Sequence, residues 1–260
     1  MSRTGSPAAP LGSPPSGPDL DLRRNHFLRE LPGEWQARWA SELRPAWASV
    51  AQPLFSRGDR MRHVYFPLDA VVAVVSTMAD DSSSLLAIIG SDGVIGMSSL
   101  MSGQAQVGEA LVQREGWVLQ LEAAHLRRAF HESQEVRVLA MRWLQATQIH
   151  IGQTALCNRH HQAQQQICTI LLRVLDRSAD CEVQVTHDQL ARLTGLRRET
   201  ISAAAARLQQ AGVLSYRRGR VFVTDRKALE AAACACYGIV ETAYRRVYFS
   251  GSDPASGRPR

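Results

Sequence analysis

Arg197, Arg198, Glu199, Thr200 and Ser202 crowd together directly after Gly195-Leu196. These side chains are of the types that read duplex DNA. An arginine can bond the O6 and N7 of a guanine with both arms, a carboxylate can accept from the cytosine N4 amine, and hydroxyls reach bases or phosphates. Arg198, Glu199 and Ser202 are therefore expected at base edges, and Arg197 and Thr200 at phosphates. A second group, Arg217-Arg218-Gly219-Arg220, is expected on phosphates together with Thr186, where contacts position a protein without reading sequence. Charge agrees with this reading. Residues 187–227 hold nine basic residues against three acidic ones, so this stretch carries the whole net charge of +6. A localised basic region suits a polyanion.

The surrounding pattern would present these groups. Thr186-His187-Asp188-Gln189 matches a capping box, with Thr186 as N-cap and Gln189 three residues on. Leu190 and Leu193 give the short helix that follows an apolar face, and Gly195 permits a sharp turn. A second helix is expected over residues 198–211, with Ile201, Ala204, Ala205 and Leu208 inward and Gly212 ending it. Two helices joined by a short glycine-containing turn form a helix-turn-helix. The flanking runs 213–216 and 221–224 read as a β-hairpin whose tip is the basic 217–220 stretch. This is a wing.

Further upstream, residues 161–176 read as a helix with Ile167, Ile170, Leu171, Val174 and Leu175 inward. Asn158-Arg159-His160-His161 reads as a polar hinge. Residues 133–159 contain no proline and one glycine, Gly152. Val136, Leu139, Trp143, Ala146 and Ile149 recur there at helical spacing, and Val138, Met141, Leu144 and Ile151 fall elsewhere around the helix. A helix apolar on several sides needs several neighbours. Its own sheet is one, and the same helix of a second subunit is the other, with Val136, Leu139, Trp143, Ala146 and Ile149 as the dimer face. The alternative is a fully buried core helix. Residues 51–121 read as short strands around 64–66, 71–75, 85–89 and 117–121, separated by turns at 57–59, 79–81, 90–93 and 115–116. That spacing suggests a small all-β roll, preceded by a short helix around 34–42. Residues 1–19 and the tail from about 251 are rich in Pro, Gly and Ser and are expected to be disordered.

Gly195-Leu196-Arg197-Arg198-Glu199-Thr200-Ile201-Ser202 resembles the recognition helix of the Crp/Fnr family of bacterial transcription regulators at all but its third position. Gly58-Asp59 followed by Val64-Tyr65-Phe66-Pro67 resembles the first turn of that family's β-roll. Residues 154–159 and 231–237 resemble a subgroup without known cyclic-nucleotide binding. The resemblance covers residues 25–248 and implies an α+β chain: a cyclic-nucleotide-binding-like β-roll, a long dimerisation helix and a C-terminal winged helix-turn-helix. The implied layout is a tail (1–22), a sensory roll (23–132), a dimerisation helix and hinge (133–160), a DNA-binding domain (161–248) and a second tail (249–260). A homodimer on a palindromic promoter site, with RNA polymerase as a further partner, is the implied function.

Departures from the family pattern bear on the sensor. Nucleotide-binding members carry a Gly-Glu and, about ten residues later, an arginine for the cyclic phosphate. Here the cassette is Gly96-Met97-Ser98-Ser99, and Glu109 stands near the arginine position, so cAMP is not expected. No cysteine precedes Cys157, against the family's N-terminal iron–sulfur cluster. Haem or redox input remains an alternative, with His63 the axial candidate, although a surface or core role suits that histidine. Ala203 stands where many members have arginine, and Arg197 where many have a capping Ser or Thr.

Other chemistry is not expected. A cupin-type metal enzyme wants several His and Glu ligands on its strands, and residues 51–121 hold only His63. The odd count of five cysteines argues against a disulfide framework. Cys234-Ala235-Cys236 has no second pair at zinc-ribbon spacing and reads as small buried thiols. His160-His161 reads as hinge polarity, because adjacent helical residues point about 100° apart. No catalytic residue, metal ligand or cofactor is therefore assigned. The proline-rich first twenty residues lack the apolar core of a secretory signal, and no membrane span is present, so the cytoplasm is the expected compartment.

Overall fold

The computed structural model describes residues 21–78, 82–100, 105–178 and 182–248. The expected disordered tails and the 79–81 turn lie outside the described residues. Among the described residues, a 3-10 turn at Leu22–Arg24 leads into α1 (His26–Arg29) and α2 (Gly33–Ala40). Buried Asn25 anchors them: its Oδ1 accepts from the backbone N–H of Phe27 and Leu28, and its Nδ2 donates to the carbonyls of Pro67 and Gly93.

Seven strands follow: β1 (Arg44–Ala48), β2 (Pro53–Phe55), β3 (His63–Pro67), β4 (Val71–Thr77), β5 (Ser83–Ile89), β6 (Gly108–Arg114) and β7 (Gly116–Glu122). They form two antiparallel sheets, β1-β7-β3 and β2-β6-β4-β5, closed into a roll. β3, β4, β5 and β7 fall where the apolar runs and turn residues predict them. β1 holds Pro45, which is tolerated because β1 is an edge strand. Only Glu115 separates β6 from β7, where the chain changes sheets. At Gly116 a Cβ would run into Asp69 and the Ala70 amide.

The helices are α3 (Ala123–Glu132), α4 (Gln134–His160), α5 (Ala163–Leu175), α6 (His187–Thr194), α7 (Arg198–Gln210), α8 (Arg226–Ala232) and α9 (Cys236–Tyr248), with β8 (Glu182–Gln184), β9 (Leu214–Arg217) and β10 (Arg220–Val223) forming a small sheet of order β8-β10-β9. Ser133 breaks α3 from α4 and caps the latter through the Val136 N–H at 3.3 Å. No helix among the described residues is long and apolar enough to cross a membrane.

Two corrections concern α4. The helix continues through His160, so the non-helical hinge is only His161-Gln162, and Asn158 to His160 are helical. The expected dimer face is also occupied from within the chain. Val136, Leu139, Trp143 and Ala146 are buried, and of that set only Ile149 reaches the surface. Their cover is the roll and α9, an element that the strand and helix patterns did not announce. α9 sets Val240, Tyr244 and Val247 into the same core, with Tyr244 edge-on to Trp143 at 5.3 Å between ring centroids.

A second core joins what the sequence suggested as separate domains. Val71, Ala73 and Val75 of β4 and Leu85 and Ile88 of β5 pack with α5, α6 and α7, while Val72 of β4 faces the roll interior. Burial on both faces explains the unbroken apolar run of β4.

Candidate nucleic-acid interface

The capping box forms as expected. Thr186 Oγ1 accepts from the Gln189 N–H at 3.2 Å, and Gln189 Oε1 accepts from the Thr186 N–H at 2.7 Å. α6 ends at Gly195, whose φ of +72° places it in the left-handed region. Leu196 and Arg197 bridge to α7. Arg197 sits at the N-cap without any side-chain cap bond. Ile201, Ala204, Ala205 and Leu208 are buried, which turns the opposite face of α7 outward. Arg197, Arg198, Glu199 and Thr200 are all exposed. They cluster at a helix N-terminus, where unpaired N–H groups add attraction for phosphate.

Two residues take other partners than expected. Ser202 is half-buried, and its Oγ lies 2.9 Å from His187 Nδ1, so this hydroxyl locks α7 to α6 and is not held out toward a base. The His187 ring in turn meets Tyr216 of β9 edge-on at 4.7 Å, and the Tyr216 N–H donates to Gln209 Oε1 at 3.0 Å. This lock, invisible as a motif, sets the wing against the recognition helix. Arg220 pairs with Glu182 of β8 at 2.8 Å, which draws its guanidinium across the small sheet. Arg217, Arg218 and Arg220 are all exposed wing cations, and Arg220, 54% exposed, can exchange its carboxylate for another anion.

The wing turn is tight. Arg218 and Gly219 have φ of +49° and +77°, the pattern of a two-residue hairpin turn with both central residues left-handed. The Val185 N–H donates to the Gly219 carbonyl at 3.0 Å, so the tip lies beside Thr186 and the start of α6. Arg198 reaches the same neighbourhood, its Nε 3.2 Å from Asp188 Oδ1. Both side chains of this pair are 66% exposed, so the pair is weak and easily exchanged for another anion. Arg198, Thr186 and the turn at Gly219 thus meet at the start of α6.

The roll cassette has a different character. Gly96 is left-handed, with φ of +90° and Met61 and the His63 carbonyl where a side chain would go. Met97 is buried and Ser98 bonds Gln106 at 3.0 Å; the Ser99 side chain and Met101 lie outside the described residues. Glu109 corrects an expectation. Its neighbours Gly108 and Ala110 face inward on β6, so Glu109 points outward, and it pairs with Arg192 of α6 at 3.3 Å. It does not face the roll interior. His63 is half-buried on β3.

Comparison with known proteins matches both halves. Residues 165–232 match the Crp-like helix-turn-helix domain and residues 49–133 the cyclic nucleotide-binding domain. The chain is 24% identical over 186 residues to the Cyclic AMP receptor protein of Thermus thermophilus, covering 70% of this chain and 84% of that protein. Among solved structures, a CRP family transcriptional regulator from the same organism aligns at 24% identity with a TM-score of 0.60, covering 72% of this chain and 95% of that one. FixK2 from Bradyrhizobium japonicum aligns at 17% identity with a TM-score of 0.63, covering 74% and 98%. A regulator of the crp/fnr family from Eubacterium rectale aligns at 12% identity with a TM-score of 0.66, covering 81% and 98%.

Proposed function

We propose that this chain, whose two domains match the Crp-like helix-turn-helix and the cyclic nucleotide-binding domain, is a Crp/Fnr-type transcription regulator that binds a palindromic promoter site as a homodimer without requiring cAMP. One observation carries the reading: Arg198 and Glu199 project from the exposed start of α7, and Arg198 meets the start of α6 where the wing turn also lies. A helix end so armed fits the major groove, while Arg217, Arg218, Arg197, Thr200 and Thr186 suit the flanking phosphates. RNA polymerase is a further proposed partner, and the cytoplasm the proposed compartment.

The dimer is proposed on the stripe of α4 that the chain leaves uncovered. Val138, Met141, Ile149 and Leu156 are 41%, 55%, 37% and 51% exposed. With Gln145 and Gly152 they recur at spacings of three and four residues, on the face opposite Val136, Leu139 and Trp143. Beyond its own helix, no atom of the described residues stands within 4 Å of where a Gly152 side chain would start, which leaves room for a close helix approach.

The roll is proposed not to take a cyclic nucleotide. Buried Met97 supplies no acceptor for a ribose hydroxyl. Among the described residues, the buried side chains between the two sheets are apolar and include no cation for a phosphate.

Selection of bound fragments from random duplex DNA tests the reading. Enrichment of a two-fold-symmetric site with half-site centres about 34 Å apart is expected. Recovery of unrelated sequences with no shared half-site would overturn it. Calorimetric titration with cAMP should give no binding heat.

A further inference from the structure

Three thiols and an imidazole from separate stretches of chain meet where α4 ends. Cys157 lies in the last turn of α4, His161 is the residue after it, and Cys234 and Cys236 bracket Ala235 between α8 and α9. One ligand atom from each residue, four in all, lie within 4.8 Å of one another. Cys157 Sγ is 3.5 Å from Cys234 Sγ, and Cys236 Sγ is 3.6 Å from His161 Nδ1. The three cysteines are buried and His161 is half-buried.

These separations have the dimensions of a single tetrahedral ion. With Zn–S bonds of about 2.3 Å and a Zn–N bond of about 2.0 Å, neighbouring ligand atoms in a tetrahedron stand about 3.5–3.8 Å apart. Four ligand atoms this close leave no room for a multi-iron core between them. A disulfide between Cys157 and Cys234 would use two of the four groups and leave the convergence of Cys236 and His161 without a cause.

The surroundings point the same way. Arg173 of α5 is 1% exposed, and among the described residues no carboxylate lies within ion-pair distance of it. Its Nη2 donates to the Cys236 carbonyl and its Nη1 to Thr154 Oγ1, both at 3.4 Å, while its Nε has no partner. Glu241, the carboxylate whose charge reaches it, is paired with Arg177 at 3.2 Å, and a buried guanidinium without a counter-charge of its own is costly. Three thiolates, a neutral imidazole and a divalent ion sum to a single negative charge, which would supply one. Thr169 Oγ1 lies 3.3 Å from Cys234 Sγ, placed to donate to a thiolate. Gln166 Nε2 donates to the His161 carbonyl at 2.9 Å and so fixes the backbone on the hinge side.

We propose that Cys157, His161, Cys234 and Cys236 bind one Zn2+ ion as a closed Cys3His site that ties the end of α4 and the hinge to the α8–α9 junction. Four protein ligands leave no open position, so the role is structural. Binding releases the three thiol protons to solvent, with no change of oxidation state. This replaces the reading of Cys234 and Cys236 as small buried thiols and of His161 as hinge polarity.

Metal analysis of the full chain, purified from zinc-supplemented cells without a polyhistidine tag, tests this independently of any DNA binding. About one zinc per chain is expected, retained in Cys168→Ser, whose buried thiol lies outside the cluster, and lost in Cys157→Ser and Cys234→Ser. Replacement by Co2+ should give the intense visible bands of tetrahedral thiolate coordination. If the serine variants fail to fold, thiol counting on the wild type keeps the test open: three thiols should become reactive on chelation. Wild-type protein with far less than one zinc, a Co2+ spectrum without those bands, or a brown chromophore with acid-labile sulfide would each overturn the proposal.

Discussion

Arg198 and His150 show how far one side chain's surroundings set its behaviour. Arg198 pairs with Asp188 in the free protein, but an exposed pair contributes about 0–1 kcal/mol, so guanine or phosphate can displace the carboxylate. Arg198→Ala is expected to cost about 1–3 kcal/mol on the selected site and to relax discrimination at one base pair. Competition binding against single-base variants would read this, and uniform weakening on every sequence would count against base readout. His150 is fully buried, its Nδ1 3.0 Å from the Tyr244 hydroxyl. Burial, with Arg173 and Arg177 adding to it, holds its pKa well below 6.5. The unfolded chain therefore binds a proton that the fold refuses. Its contribution is fully present above the unfolded pKa and is lost as pH falls from about 6.5 toward the folded value, with a slope of up to about 1.4 kcal/mol per pH unit. His150→Gln should flatten the dependence of the urea midpoint between about pH 6.5 and 5.

At the level of elements, the turn between α6 and α7 is conformationally demanding but sterically open. Beyond its own chain neighbours, the nearest atom to a Cβ on Gly195 would be the Ser83 carbonyl oxygen, at 3.8 Å, so a substitution there meets backbone strain and no clash. Gly195→Ala should destabilise by about 1 kcal/mol, and Gly195→Asn by less, because asparagine tolerates the left-handed region. Denaturant titration distinguishes the two, and equal losses would point to a packing role. This turn, the capping box and the buried face of α7 were legible because each depends on neighbours within about four residues. The Ser202–His187–Tyr216 lock was not, since it joins α6, α7 and β9, whose register no local pattern sets. Cys157 and His161 stand four residues apart across the end of α4, close enough to meet locally. Their partners come from about seventy-five residues downstream, beyond what motif spacing shows.

Across the whole molecule, the roll and the winged helix form one packed body. Arg177, just past α5, pairs with Asp92 of the roll at 2.6 Å and with Glu241 of α9 at 3.2 Å. Its side chain occupies the space where Gly90 would carry a Cβ. Asp92→Ala leaves a buried guanidinium with one counter-charge and should cost about 3 kcal/mol, read as a lowered thermal midpoint. The outer stripe of α4 behaves differently, because it supports association and not the fold. Met141→Glu is expected to leave the thermal midpoint of the monomer nearly unchanged, to shift sedimentation to the monomer and to weaken DNA binding. Val136→Ala, inside the core, should instead lower stability by about 1–3 kcal/mol. A Met141→Glu variant that stays dimeric would remove α4 from the interface.

Strands β3, β4, β5 and β7 and the α6–turn–α7 unit could be read directly from the chain, because apolar runs, capping residues and turn glycines act over a few neighbours. Which face of α4 is free could not. The helix carries apolar residues on opposite sides, and only the docking of α9 decides that Val136, Leu139, Trp143 and Ala146 face inward. The same holds for Glu109, whose strand face is fixed by pairing register, and for the thiol cluster, which exists only once α8 and α9 fold back onto the end of α4. Local physics set the types of structure present; long-range packing chose which side chains meet.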